Sequence, residues 1–224
     1  PPRPTRPVRR TASSRETDPP GPRVSIAAMH RRRFLAAACA SVLPAPLAAK
    51  PRTAVPAIDV AAHNADLLAR LRAPGPPLRA WRWIVVHHTA AEYATLAGID
   101  RYHRNHFGDP LGAEYHFVIN NGKKAPLGLI EAARWRYQEP AWHLFKPDNA
   151  PASIAVCLIG NFEARPLPPA MLDALVDLTA ALMRELSIPA ARVSTHRVVD
   201  EKLTQCPGKH FPLDEFRRRL TPAG

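Results

Sequence analysis

Four residues of this chain have the types and spacing of a metal site. His87 and His88 close the apolar run 83–86, His196 follows the short segment 193–195, and Cys206 comes ten residues later in Gln205-Cys206-Pro207-Gly208. Side chains at strand ends and in rigid loops are held still by the backbone, as metal ligands must be. Two imidazoles and one thiolate on Zn²⁺ leave the fourth tetrahedral position open. Three protein ligands with an open position is a catalytic arrangement, whereas a structural site is closed by four. The chain has three cysteines and no C-x-x-C pair, so neither a zinc finger nor a disulfide-dense scaffold is supported. No G-x-S-x-G elbow is present for a serine hydrolase. Nine of the ten histidines lie beyond residue 50. On residue types alone, those singled out also read as surface or hydrogen-bonding groups, and Cys206 also reads as a nucleophile paired with a histidine.

The elements that must position these groups follow from periodicity. Residues 59–71 read as a helix with apolar positions at Val60, Leu67, Leu68 and Leu71, and 72–80 as a Pro-rich loop. The continuous apolar runs 83–86 and 153–159 read as buried strands. A helix is expected over 95–107 and a strand over 115–119. Asn121-Gly122 is then a hairpin turn, since both residues tolerate positive φ, with a return strand over 127–130. The longest helix is 168–186, with Leu172, Leu175, Val176, Leu178, Leu182 and Leu186 on one face. A short strand over 193–195 and a helix over 213–220 complete the chain. Strands alternate with helices and one hairpin intervenes, so the expected fold is α/β with a mixed central sheet flanked by helices. Cys157, inside Val156-Cys157-Leu158, reads as a small apolar core residue.

The 26 prolines make up about 12% of the chain against a usual share of roughly 5%, and seven of them fall in residues 1–28, which cannot build a core. The net charge of +12 suggests nucleic acid until it is divided. Nine arginines and two acidic residues precede residue 50, leaving only +5 for residues 50–224. With no nucleic-acid motif present, no such partner is expected. Met29-His30-Arg31-Arg32-Arg33 followed by the apolar run 34–43 and the small residues up to Ala49 has the layout of an export signal, twin-arginine-like in its arginines. The expected organisation is therefore a disordered or untranslated leader over 1–28, the export signal over 29–49, a helix and Pro-rich linker over 50–77, and one domain over 78–224. No apolar run reaches the 18 or so residues a spanning helix needs. The mature chain is expected to be a periplasmic or extracellular monomer.

Four segments in order, Ile84-Val85-Val86-His87-His88-Thr89-Ala90, Tyr115-His116-Phe117-Val118-Ile119, 153–162 and His196-Arg197 through Cys206-Pro207-Gly208, resemble the zinc-dependent N-acetylmuramoyl-L-alanine amidases, a family similar to the peptidoglycan recognition proteins. The resemblance spans about residues 78–220. It implies a single amidase/recognition-like domain that hydrolyses the amide between N-acetylmuramic acid and L-alanine in peptidoglycan or muropeptides. It implies Zn²⁺ on His87, His196 and Cys206, with Tyr115 and Thr204 acting on the reacting carbonyl. It further implies Trp142 and His143 in the substrate groove, with His88 a neighbour of the ligands there; Lys209, at a position that matches none in the family, is expected as a further substrate contact. Relatives that have lost catalysis typically lack the last cysteine; this chain keeps it, which weighs against the alternative of a non-catalytic binding module. Two departures stand out. Thr204 replaces a lysine common two residues before the last ligand, and Cys157 stands where some relatives carry a glutamate.

Overall fold

The computed structural model describes residues 58–71, 78–145, 150–201 and 203–221. The segments expected to be a leader and an export signal, and most of the Pro-rich linker, lie outside the described residues. Ten elements follow in order: α1 (Val60–Ala69), β1 (Trp83–His88), α2 (Leu96–Phe107), β2 (Phe117–Ile119), β3 (Ile130–Ala132), β4 (Ser153–Leu158), α3 (Pro169–Leu186), β5 (Val193–Thr195), α4 (His196–Val199) and α5 (Leu213–Leu220). The strands form one sheet in the order β3-β2-β4-β1-β5. β1 runs parallel to β4 and β5, β2 runs parallel to β4, and β3 is antiparallel to β2. This is the expected mixed α/β sheet.

The alternation of side chains along each strand divides the sheet into two faces. Ile84 and Val86, Phe117 and Ile119, and Ile154, Val156 and Leu158 point to one face, where they join the main core with Leu175, Leu178 and Leu182 of α3 and Phe216 of α5. Each aliphatic side chain so buried contributes roughly 1.5–3 kcal/mol. Val118, Cys157 and Ile159 point to the other face, against Ile99 of α2. His87, one residue beyond Val86, therefore points away from α3.

Helix α1 belongs to this core, whereas the sequence places a domain boundary at residue 78. Leu71 is buried, and Leu67 and Leu68 pack on the main core. Asn64 donates to the Gly128 carbonyl (2.9 Å) and accepts from the Ile130 N–H (3.0 Å), and His63 Nε2 lies 3.0 Å from the Ile130 carbonyl. Strand β3 is the edge of the sheet, and α1 satisfies backbone groups that would otherwise stay unpaired.

The hairpin also departs from the sequence reading. Asn120 pairs with Gly128 and Leu129, so the connection is a loop rather than a tight two-residue turn, and the return strand starts at Ile130. Gly122 does sit at positive φ, as expected, and the Asn121 side chain accepts from the Lys123 N–H.

The segment after Cys206 is fixed by one close backbone approach. Gly208 has φ +108, and a Cβ there would lie 2.2 Å from the Phe162 carbonyl carbon and 2.3 Å from the Glu163 nitrogen. Backbone cannot yield as a flexible side chain can. Gly208→Ala is expected to destabilise the protein by about 3 kcal/mol or more, lowering Tm by roughly 10 °C; differential scanning calorimetry measures it. A shift under about 2 °C would show that the loop is free to move.

Candidate metal centre

The topology brings the ligands together before any side chain is placed. In the β1–β5 register Val86 lies opposite Thr195, so His87 and His196, the next residues, leave neighbouring strands side by side at their carboxyl ends. Such strand ends are where open α/β sheets bind ligands. The Arg197 N–H donates to the Cys206 carbonyl (2.8 Å), which folds the third residue back onto the pair. One ligand atom from each of His87, His196 and Cys206 lies within 4.8 Å of the others. His87 Nδ1 is 3.7 Å from Cys206 Sγ. Ligands bound tetrahedrally to Zn²⁺ at about 2.1 Å (N) and 2.3 Å (S) stand about 3.5 Å apart, so the spacing and the donor set both suit zinc.

Each ligand is held from behind. His196 Nε2 lies 2.8 Å from Asp200 Oδ2, and Asp200 also accepts from the Phe145 N–H (2.7 Å). Cys206 Sγ accepts from the His88 N–H (3.2 Å), and the Thr204 hydroxyl accepts from the Cys206 N–H (3.1 Å). His87 Nε2 lies 2.8 Å from His143 Nδ1. Burial keeps both of these imidazoles neutral well below their ordinary pKa, with neighbouring histidines adding to the effect. Burial also pushes the Cys206 thiol up to about 12, although the His88 N–H pulls the other way. Without a metal it is a thiol at neutral pH.

A groove of about 510 Å³ opens beside this centre, lined by Tyr102, His103, Phe107, Glu114, Tyr115, Trp142 and His143 among others. That is the size of a small-molecule or oligomer subsite. The Tyr115 ring lies 5.6 Å from the His87 ring, and burial raises the phenol well above its ordinary pKa, so it stays protonated. Trp142 is 62% exposed, and its backbone N–H donates to Glu114 Oε2 (2.5 Å). Burial raises the Glu114 carboxyl, which lies 3.7 Å from the Arg134 guanidinium. The buried Arg134 anchors this wall by donating to the Ala113 and Pro140 carbonyls and to Asp109 (2.6 Å).

Of the residues singled out from sequence, the structure gathers His87, His196, Cys206, Tyr115, Trp142 and His143 around the centre and groove. It does not bring His88 and Lys209 to the groove lining. His88 points to the opposite face, where its Nδ1 accepts from the Phe162 N–H (3.2 Å), and Lys209 is exposed beside Glu163. Cys157 is fully buried in the apolar cluster and, like Cys206, is a free thiol. Sequence reading missed Asp200, Glu114 and Ser153. Asp200 had a signal, because it stands four residues after His196, one helical turn on.

Among curated proteins, none matches the chain by sequence. The N-acetylmuramoyl-L-alanine amidase family model, Amidase_2, matches residues 77–209, and the chain belongs to that family. Two solved structures of N-acetylmuramoyl-L-alanine amidases from Clostridium intestinale URNW are each 28% identical to it. The endolysin LysCS aligns over 65% of this chain and 88% of its own, with a TM-score of 0.54. LysC aligns over 65% and 90%, with a TM-score of 0.55. Bumblebee PGRP-SA, 20% identical over 61% of this chain and 81% of its own, has a TM-score of 0.51 and shares the fold. These findings place the chain in the N-acetylmuramoyl-L-alanine amidase family, with a fold that PGRP-SA shares.

Proposed function

We propose that this protein is an exported, zinc-dependent N-acetylmuramoyl-L-alanine amidase acting on peptidoglycan or muropeptides. The observation that carries the reading is the convergence of His87, His196 and Cys206 donors within 4.8 Å beside an open groove. Three ligands leave one position for water or substrate. Zn²⁺ in such a site polarises a carbonyl and lowers the pKa of a water from about 15.7 to about 7.

The chain's own residues do the rest. Tyr115, a neutral phenol at the groove wall, donates its O–H to the oxyanion that develops on the amide carbonyl. Thr204 accepts from the Cys206 N–H, which fixes the ligand loop and leaves its own hydroxyl proton to donate. Tyr102, Phe107 and Trp142 offer exposed ring surface along the groove for the apolar faces of sugar and peptide. Glu114 holds Trp142 at the rim through its backbone N–H.

The purified protein is expected to carry about one zinc per chain and to release L-alanyl peptides from muropeptides. The activity vanishes with a strong chelator and returns on adding zinc; metal analysis and chromatography of the products measure both. Hydrolysis that survives complete metal removal would sink the metallo-amidase and favour Cys206 as a nucleophile. Zinc-loaded protein that binds muropeptide without cleaving it would leave a recognition module.

A further inference from the structure

Behind His87 runs a chain of buried polar groups. His87 Nε2 is 2.8 Å from His143 Nδ1, His143 Nε2 is 2.9 Å from Ser153 Oγ, and the Ser153 hydroxyl donates to the Ala150 carbonyl (3.1 Å). All four residues are at most 8% exposed, so water does not complete these bonds. The far end of the chain sets its direction, because a carbonyl can only accept. The single Ser153 proton goes to Ala150, so Ser153 offers His143 only lone pairs, and His143 carries its proton on Nε2. Its Nδ1 is then bare and accepts from His87, whose proton sits on Nε2. The remaining nitrogen, His87 Nδ1, is left with a free lone pair 3.7 Å from Cys206 Sγ.

We propose that His143 and Ser153 are positioning residues that lock His87 in the Nε2–H tautomer and so present its Nδ1 lone pair to the metal. This rests on the reading of His87 as a zinc ligand. It also gives His143 a role other than the direct substrate contact expected from sequence. With both ring nitrogens engaged inside the protein, His143 meets the groove only through its ring. The two histidine ligands are thereby anchored differently. The Asp200 carboxylate holds His196, and a neutral relay ending on a backbone carbonyl holds His87. An outer partner of a ligating histidine typically changes metal affinity by about 10–100-fold when removed.

The test uses three forms of the full chain: wild type, His143→Leu and His143→Asn. Leucine fills the space without a polar atom, whereas the asparagine carboxamide oxygen can accept from His87 Nε2–H in place of Nδ1. Long-range ¹H–¹⁵N NMR of the metal-free protein reads the His87 tautomer directly, and competition with a chromophoric chelator reads zinc affinity. The expected result is a single Nε2–H tautomer in wild type and in His143→Asn, and mixed tautomers in His143→Leu. Zinc affinity falls about 10–100-fold in His143→Leu and stays within about threefold in His143→Asn. A merely structural role would lower thermal stability without changing the tautomer. The proposal is overturned if wild-type His87 carries its proton on Nδ1, or if His143→Leu leaves the tautomer unchanged. A wild-type protein that binds no zinc would sink the metallo-amidase reading instead, and the metal-free tautomer would still report on the relay.

Discussion

Cys206→Ser is expected to abolish zinc binding and amide hydrolysis while leaving the fold intact. The side chain is 8% exposed and contributes the only thiolate to the cluster of His87, His196 and Cys206. Serine nearly preserves the volume, and its oxygen can still accept the His88 N–H that now meets Sγ at 3.2 Å. What is lost is a soft anionic ligand, because an alcohol does not give up its proton to zinc as readily as a thiol. Zinc content should fall below about 0.1 per chain and kcat/KM by about 10³-fold or more, with Tm of the metal-free protein nearly unchanged. Metal analysis separates this from a cysteine nucleophile, since that reading also predicts an inactive variant but one whose zinc is untouched. The pH dependence has a definite sign. The metal-free thiol is held up to about 12 by burial, so zinc uptake near neutrality must displace its proton. Affinity should then rise by about tenfold per pH unit through this group. Calorimetry in buffers of different ionisation enthalpy counts the proton released.

How much of this was legible in the sequence depends on whether a group's partner is near in the chain. That only one histidine of the pair 87/88 reaches the centre follows from strand alternation, and the β1 register bears it out: His87 faces away from α3 while His88 turns to Phe162. Strands β1 and β4 and the long helices were equally legible, because continuous apolar runs and the stripe of 172, 175, 178 and 182 leave little choice. What the sequence could not display is pairing at long range. Asn64 of α1 docks on β3 across 66 residues, so a helix that reads as a linker element becomes the cover of an exposed edge. His143 meets His87 across 56 residues and only because β4 delivers Ser153 to its other side. Asp200 is the local case: it stands four residues after His196, and the single turn of α4 places its fully buried carboxylate under the second ligand.

The centre's charge also becomes intelligible from these partners. Zn²⁺ on two neutral imidazoles would meet one thiolate from Cys206 and one carboxylate at Asp200, which together would balance a divalent cation at a largely buried ligand set. A zinc centre balanced in this way would act on an uncharged amide carbonyl by close contact rather than by long-range attraction. The donors that touch the carbonyl then decide the rate.

Tyr115→Phe isolates one such donor. The ring packs with the apolar cluster around Cys157 and stands 5.5 Å from the His103 ring, so phenylalanine keeps the wall in place. Only the hydroxyl is removed, and no metal ligand is disturbed. Zinc content and Tm should therefore match wild type, while kcat falls about 10²–10³-fold, the usual cost of deleting one oxyanion donor. KM should change little, because the carbonyl of the bound substrate accepts a weaker hydrogen bond than the oxyanion does. Burial holds the phenol well above its ordinary pKa, so the donor stays protonated and contributes no limb to the pH–rate profile below about pH 10. Single-turnover kinetics on a defined muropeptide distinguishes the possibilities. A raised KM with unchanged kcat would make Tyr115 a ground-state contact. Unchanged kcat and KM would make it part of the groove wall alone, and the burden of stabilising the oxyanion would pass to the Thr204 hydroxyl.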